Sequence, residues 1–292
     1  MLSTDNGAPS GSGARTAWLF LRASGVALFV FALVHLAVMH YLNAPAQTDF
    51  AFVVRRWAQA AWLAFDATLL VLALTHGLTG LQTIVRDALQ ARSRSTRRAV
   101  DALIAAAALA FVALGVVALF AGAAVSRASA STHADGPFWI AAVLHAALVV
   151  IATVTYAALV AIVLALAVRV TTREPLEWWS FAGHWAWALH RASGLGILAF
   201  LLVHVLDIAL LPFAPTVYDR TVASYAEPYL VPMEIALVAA VVYHALNGLR
   251  LVVFEALDRR GVRFGSISIA AVIGLTVALV IPSVAVLVRA AR

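Results

Sequence analysis

Histidine carries most of the chemical information in this sequence, because the chain has no cysteine to bind metal or act as a nucleophile. Two of the histidines end a repeated string, which reads RASGVALFVFALVH at 22–35 and RASGLGILAFLLVH at 191–204. In both copies the histidine follows the arginine by thirteen residues, and a tryptophan precedes the arginine by four. His35 and His204 therefore occupy equivalent positions.

A second repeated string begins with histidine and reads HGLTGLQTIVRDAL from His76 and HALNGLRLVVFEAL from His244. In each copy a glycine follows the histidine by four residues and a carboxylate follows it by eleven. An acidic residue, Asp66 or Glu234, precedes the histidine by ten. We interpret the two pairs of strings as the duplication of a three-helix unit.

Paired histidines in so apolar a chain (64% hydrophobic, 12% charged) indicate b-type haem. Ionisable groups inside a membrane are costly and usually functional. Two facing imidazoles can bind a haem iron from both axial sides, which leaves an iron that transfers electrons without activating oxygen. Depth along each span pairs His35 with His204 near the outer surface and His76 with His244 farther in, with the irons about 12–18 Å apart along the membrane normal at about 1.5 Å per residue.

Small residues accompany the predicted ligands. Gly80 and Gly248 each lie one helical turn from an inner histidine, on the same face, where the missing side chain would let a flat porphyrin approach. Ser24 and Ser193 similarly thin the first helix of each repeat. The alternative is close helix packing, for which small residues are common in membranes.

Charged residues also recur at matched positions. Arg22 and Arg191 lie near the inner surface, where a guanidinium suits haem propionates or a quinone carbonyl, or else a lipid phosphate. Asp66 and Glu234 are close in depth to the outer histidines. They could orient those ligands, carry protons, or lie in the membrane interface.

The composition predicts that these residues are positioned by membrane helices, since soluble proteins carry about 25% charged residues. A helix needs about 20 apolar residues to cross the bilayer core. Seven stretches qualify: 17–42, 57–85, 100–124, 138–168, 186–211, 229–255 and 266–288. A parallel second copy of a three-helix unit needs one extra crossing, which the fourth stretch supplies. The predicted fold is an all-α membrane protein of 3+1+3 transmembrane helices, in which two parallel repeats form a haem-binding four-helix bundle.

Arginines outside the spans set the expected orientation. The chain has no lysine, and most of these arginines fall on one side if the N-terminus is inside. We therefore expect a multi-pass protein of the cell membrane with a cytoplasmic N-terminus and an outer C-terminus. The predicted divisions are a disordered tail at 1–16, a first repeat at 17–124, a connecting span at 125–168 and a second repeat at 169–292. The second repeat begins with a Trp-rich segment, 174–187, which we expect to lie along the inner surface.

The string HRASG at 190–194 and the string YHALNGLR at 243–250 resemble the cytochrome b anchor subunits of succinate dehydrogenase and fumarate reductase. The resemblance covers about 120 residues of the second half. It implies that His244 is a haem ligand, and that His190 and Arg191 lie near the quinone and the haem propionates.

The first half resembles the partner anchor of that family, with Arg22, His76 as the second ligand, and Asp87 eleven residues later. The resemblance implies quinone binding by Asp87 and Arg191, joined by Trp187, which stands where the family has a quinone-site serine. Both anchors would then be fused in one chain. The added outer histidine pair is similar to the two-haem branch of the family.

By the same resemblance, the chain is the membrane anchor and di-haem cytochrome b subunit of a succinate:quinone oxidoreductase, an enzyme of the tricarboxylic acid cycle. The implied partners are a flavoprotein subunit and an iron–sulfur subunit on the inner face, together with membrane quinone, and no nucleic acid. The arginine-rich inner loops at 86–98 and 259–263 are candidate docking surfaces, with a purely topological role as the alternative.

Two other functions fit parts of the sequence. The chain could be the di-haem cytochrome of another quinone-linked dehydrogenase, which would differ in its soluble partners. It could also be a 3+1+3 small-solute transporter, although such a protein would need broken helices and hydrogen-bonding residues at the midplane. An absorbance spectrum separates these classes, because only the cytochromes would show a reduced b-type band.

Overall fold

All of the regular secondary structure in the described part of the chain is helical. The computed structural model describes residues 12–43, 45–89, 93–127, 178–225, 227–257 and 265–290. Its α-helices are α1 (Ser12–Leu36), α2 (Phe50–Trp57), α3 (Ala60–Ala88), α4 (Arg94–Arg127), α5 (Trp178–Leu210), α6 (Pro215–Ser224), α7 (Val231–Leu257) and α8 (Gly265–Ala290). A π-helical turn (Ala37–Leu42) continues α1, and a 3-10 turn (Pro45–Gln47) precedes α2.

Six of these helices are long and apolar enough to cross a membrane, so the chain is a multi-pass membrane protein. Their candidate spans are Arg15–Met39, Ala60–Asp87, Arg94–Val125, Trp185–Leu210, Val231–Phe254 and Ser268–Arg289. Helices suit these apolar sequences because each backbone hydrogen bond is made within the segment. The spans match six of the seven predicted stretches. The seventh, 138–168, lies outside the described residues, so the 3+1+3 arrangement stays a prediction.

Two predicted boundaries differ from the structure. Helix α1 begins at Ser12, inside the tail predicted for 1–16, because the apolar span continues as helix beyond the membrane core. The segment predicted to lie along the inner surface, 174–187, is from Trp178 onward the start of α5. With 33 residues, α5 is about 50 Å long at about 1.5 Å per residue, well beyond the bilayer core of about 30 Å. The Trp-rich turns are therefore continuous with the span.

Four long helices pack in a closed ring in which α1 contacts α3, α3 contacts α5, α5 contacts α7, and α7 contacts α1. Helix α4 packs outside the ring against α3 and α5, and α8 packs against α7 and α5. Helices α1 and α5 therefore face each other across the ring, as do α3 and α7. Side chains from facing helices can meet on the ring axis, where a porphyrin would have to lie to take one ligand from each.

The short helices α2 and α6 contact each other at the end of the ring reached by the C-termini of α1 and α5. The Asp219 side chain in α6 accepts a 2.7 Å hydrogen bond from the first backbone N–H of α2, at Phe50. Tyr218 donates to the Thr48 carbonyl oxygen at 3.1 Å. These bonds satisfy polar groups at the start of α2 that its own helix leaves unpaired. We call α2 and α6 together the outer cap.

Trp57, the last residue of α2, is buried against Leu210, Leu211 and Leu119. This contact holds the outer cap onto α4 and α5. It requires Gly122, because a Cβ atom there would lie 2.6 Å from the Trp57 ring and 3.2 Å from Leu211.

The Gly122→Ala substitution should destabilise the protein, since the rigid indole must shift to admit the methyl group. The expected loss is about 1–3 kcal/mol, as for other overpacked cores. The Gly274→Ala substitution is the matched control, because a Cβ atom there meets nothing within 4 Å. Tryptophan fluorescence during unfolding of the detergent-solubilised protein measures both, and equal stabilities of the two variants would contradict the packing described.

Candidate haem and quinone sites

The inner histidine pair meets across the ring. His76 comes from α3 and His244 from α7, and their ring centroids are 6.4 Å apart with an interplanar angle of 88°. Both residues lie in the middle portions of their spans. The pairing predicted from sequence repeats and depth therefore brings these two imidazoles together.

Hydrogen bonds set the tautomer of both inner histidines. Ser24 donates its hydroxyl hydrogen to the Phe20 carbonyl at 2.6 Å, so its oxygen is an acceptor for Nδ1–H of His76 at 2.8 Å. Nδ1 of His244 lies 3.0 Å from the His190 carbonyl oxygen, which can only accept. A neutral imidazole that carries its proton on Nδ1 keeps a lone pair on Nε2. Nε2 is thus the nitrogen available to a metal, and the Nδ1 partners fix the ring orientation.

The two repeats place the same residue types around the two inner ligands. Ser193 lies 3.3 Å from Nδ1 of His244, and Ser24 lies 2.8 Å from Nδ1 of His76. A Cβ atom on Gly25 would lie 3.5 Å from the His76 ring, whereas one on Gly194 would lie 2.7 Å from the His244 ring. The second repeat is therefore packed more tightly around its ligand.

His190 accounts for the tighter packing. Its ring stacks on His244 with centroids 4.0 Å apart and an interplanar angle of 3°. Leu21 is the corresponding residue of the first repeat. The sequence placed His190 near the haem propionates by resemblance, but gave no sign of this stacking.

The two glycines one turn from the inner ligands have different surroundings. A Cβ atom on Gly80 would meet nothing within 4 Å, so the space beside this glycine is open. A Cβ atom on Gly248 would lie 3.4 Å from the His190 ring. Gly248 therefore makes room for His190, in agreement with the packing alternative.

The outer pair also meets across the ring. His35 comes from α1 and His204 from α5, with ring centroids 6.3 Å apart and an interplanar angle of 72°. Phe200 stacks on the His204 ring at 5.5 Å. A cavity of about 280 Å³ lies beside the pair. Its walls are mostly apolar, and its polar lining residues include both histidines, Thr48, Arg56, Asp66, Tyr218, Tyr225 and Glu234.

A buried ion pair of Arg56 and Asp66 lines this cavity, and sequence reasoning did not find it. Nη2 of Arg56 donates to Asp66 at 2.8 Å, and the Trp57 indole N–H donates to the other carboxylate oxygen at 3.0 Å. Asp66 also lies 3.6 Å from Nδ1 of His35, close to the position predicted for an orienting group. Burial lowers the pKa of Arg56 below its ordinary value, and the attraction of Asp66 opposes that shift.

Two further acidic residues, Asp207 and Glu234, lie in this region of the protein. Tyr225 donates to Asp207 at 2.9 Å. Burial, with Asp207 adding to it, raises the pKa of Tyr225, so the phenol stays a neutral donor. Glu234 faces the cavity that the outer histidines line, consistent with the depth assigned to it.

The repeated arginines both stack on the tryptophan four residues before them. Arg22 lies 3.8 Å over the Trp18 ring, and Arg191 lies 4.1 Å over the Trp187 ring. Arg191 in addition donates to Asp87 at 2.9 Å, which joins the end of α3 to α5. The structure thus brings together Arg191, Trp187 and Asp87, the three residues predicted for quinone. Arg191 is partly exposed and the other two are exposed.

The spacing of both histidine pairs fits an iron between them. Two imidazole–metal bonds of about 2.0–2.1 Å, each extended by about 1.1 Å to the ring centre, separate the centroids by about 6.3 Å. The observed separations are 6.3 and 6.4 Å. Within the described ranges, no group of three or more His, Cys, Asp or Glu side chains could hold a bare metal ion. A haem needs only two protein ligands, because the porphyrin supplies the others.

Comparisons with known proteins show which family this chain is similar to. The chain matches the family described as succinate dehydrogenase/fumarate reductase transmembrane subunit in two segments, residues 12–117 and 171–282. It is 48% identical over 73 residues to a succinate dehydrogenase 2 membrane subunit SdhC of Mycobacterium tuberculosis, a match that covers 25% of this chain and 54% of that protein. It is 32% identical over 77 residues to a succinate dehydrogenase hydrophobic membrane anchor subunit of Halobacterium salinarum, covering 26% of this chain and 59% of that one.

The chain thus spans little more than half the length of each of these relatives. No solved structure matches it. The family match nevertheless extends over most of the sequence and includes all four paired histidines. The resemblance inferred from HRASG and YHALNGLR is confirmed: this chain belongs to the succinate dehydrogenase/fumarate reductase transmembrane subunit family.

Proposed function

We propose that this chain is the membrane anchor and di-haem cytochrome b subunit of a succinate:quinone oxidoreductase. The observation that carries the proposal is the presence of two imidazole pairs on the ring axis, each at the spacing of a bis-histidine iron. Bound in this way, haem supplies one-electron transfer and has no open coordination position for oxygen. The subunit would pass electrons between an iron–sulfur subunit and membrane quinone.

The residues of the chain itself would bind and orient the two haems. His76 and His244 would be the axial ligands of the inner haem, held by the partners of their Nδ1 atoms. His35 and His204 would hold the outer haem, in the cavity that residues of the outer cap line. At the inner face, Arg22 and Arg191 would neutralise propionates.

We further propose that the chain contains two fused anchor repeats in a 3+1+3 arrangement. Each half has helices in the order long, short, long, long. The serine–histidine and arginine–tryptophan contacts recur in both halves. The family match also falls into two segments. These likenesses support a duplication, and family membership favours a cytochrome over a solute transporter.

Quinone would bind at the inner end of α5, beside Arg191, Trp187 and Asp87. The guanidinium can donate to a quinone carbonyl, and the indole offers an aromatic face. The carboxylate could supply or accept the protons of quinone chemistry. The exposure of Trp187 and Asp87 supports access from the membrane.

The soluble partners would be a flavoprotein subunit and an iron–sulfur subunit on the cytoplasmic face of the cell membrane. An open groove at that end is lined by Arg86, Asp87, Arg94, Arg97, Arg98 and Asp101. Within the described part of the chain, Arg86 is the only one of these arginines that forms an ion pair, and its partner is Asp101. The groove therefore offers an excess of positive charge to an acidic partner surface. The N-terminus would be cytoplasmic and the C-terminus outside.

Single substitutions of the ligands should remove the haems one at a time. The purified wild-type complex should hold two b haems per anchor chain, counted from its reduced absorbance bands. His244→Ala should lose the inner haem and His204→Ala the outer haem, so that each variant retains one. His40→Ala, which has no counterpart in the second repeat, is the control and should retain both. One haem in the wild type that is unaffected by His204→Ala would refute the outer site.

The two repeat-equivalent glycines give a matched test of the inner site. Gly194→Ala places a methyl group 2.7 Å from the His244 ring, which must move away from the axis. We expect haem content to fall from two to about one per chain. Gly25→Ala, whose Cβ atom would make an ordinary 3.5 Å contact with His76, should retain both haems. Equal haem content in the two variants would contradict the assigned position of His244.

The Arg191→Gln substitution should weaken quinone binding without loss of haem. A charge-assisted hydrogen bond contributes about 1.5–3 kcal/mol, so the KM for quinone should rise about tenfold or more. Arg15→Gln is the control, because Arg15 is an exposed arginine near the start of α1 and lines neither the groove nor the proposed quinone site. Steady-state assays with a soluble quinone analogue measure the effect. An unchanged KM in Arg191→Gln would place the quinone elsewhere.

A further inference from the structure

We propose that Arg56 binds a carboxylate of the ligand in the outer cavity, namely a propionate of the outer haem. This inference rests on the proposed outer haem and assigns a residue that neither the sequence repeats nor the family resemblance identifies. It also fixes the direction in which that haem would lie, with its propionates toward the outer cap.

The Arg56 side chain is buried and only partly paired. It is 6% exposed, and one of its three nitrogens, Nη2, donates to Asp66. Nε and Nη1 are buried and have no hydrogen-bond partner among the described residues. A buried donor left unpaired costs about 1–3 kcal/mol, and more when it is charged. Two such unpaired donors on one guanidinium at the wall of a cavity indicate that a bound ligand accepts hydrogen bonds from them.

The guanidinium is also held in a fixed orientation. Its central carbon lies 4.2 Å over the Trp62 ring, and Asp66 anchors one end of the fork. Asp66 also accepts a hydrogen bond from the Trp57 indole N–H, so its carboxylate has two donors, Trp57 and Arg56. A preorganised guanidinium loses little side-chain entropy when it binds a ligand.

The chemistry of the cavity selects a carboxylate on an otherwise apolar ligand. Among the described residues that line it, Arg56 is the only arginine, and most of the remaining wall is aliphatic or aromatic. The acidic residues there are Asp66, which Arg56 already binds, and Glu234. A porphyrin combines a large apolar face, an iron for His35 and His204, and two carboxylates. Such a ligand would use the histidine pair and Arg56 together.

Arg56 is also connected to an axial ligand. Asp66 lies between Arg56 and His35, 2.8 Å from the first and 3.6 Å from Nδ1 of the second. Removing the positive charge would leave Asp66 and the propionate uncompensated close to the iron. Ferric haem would then be favoured over ferrous haem, and the midpoint potential of the outer haem would fall.

The test is a redox titration of the purified complex with Arg56→Gln and Arg56→Lys, together with resonance Raman spectra of the propionate bending modes. The control is Arg55→Gln, because Arg55 is the adjacent arginine of α2 and is exposed. We expect Arg56→Gln to lower the outer midpoint potential and leave the inner one unchanged. Arg56→Lys should retain the outer haem, because its charge is kept, but shift the propionate mode. Arg55→Gln should alter neither.

The possible failures are distinguishable. If Arg56→Gln and Arg56→Lys keep both haems with wild-type potentials and propionate modes, Arg56 does not bind the propionate, whereas the di-haem proposal stands. If both variants lose the outer haem while Arg55→Gln keeps it, Arg56 serves packing of the outer cap, and the inference is again refuted. A wild-type complex with no haem at His35 and His204 would refute the outer site and this inference together.

Discussion

Two imidazoles meeting on the axis of a closed ring of four helices are the interaction on which this structure depends. Histidine inside a membrane is costly, and a porphyrin between two of them would offset that cost. The ring makes the meeting possible, because α1 faces α5 and α3 faces α7 across it. A helix rotated by one residue, about 100°, would turn its histidine away from the axis. Serine hydroxyls hold the inner imidazoles through Nδ1, whereas residues of the outer cap line the cavity beside the outer pair.

The two sites reach this arrangement by different means. At the inner site, polar atoms of α1 and α5 hold Nδ1 of each ligand, and the stacked His190 fixes His244 from one side. At the outer site, a carboxylate lies near His35 in a cavity that residues of the outer cap line. Charge close to an axial ligand changes the relative stability of ferrous and ferric iron. Two haems bound in such surroundings would therefore have different potentials.

Much of the site could be predicted from the sequence because duplication repeats its residues at fixed spacings. Such spacings identified the four paired histidines and both arginines, and depth along a helix predicted which imidazoles lie close together across the ring. The rise per residue is the same along any α-helix, so the depth of each histidine in the membrane could be predicted from its own span alone.

Contacts between distant residues could not be predicted in this way. The stacking of His190 on His244 depends on how α5 and α7 approach each other, and the first repeat has leucine at that position. Arg56 lies on an eight-residue helix between two spans, where arginine is read as a topology signal. Its ion pair with Asp66 forms only when α2 packs against α3. The continuation of α5 through its tryptophans could not be predicted either. The preference of tryptophan for the membrane interface indicates the depth of a residue and not the direction of its helix.

The most direct test of the central claim is to locate iron in the intact complex, by anomalous scattering from crystals or by high-resolution electron cryomicroscopy. We expect one iron between His76 and His244 and another between His35 and His204, each coordinated by Nε2 of both imidazoles. Imidazoles at 76 and 244 that face lipid, or that stand too far apart for an iron to bridge them, would contradict the central claim.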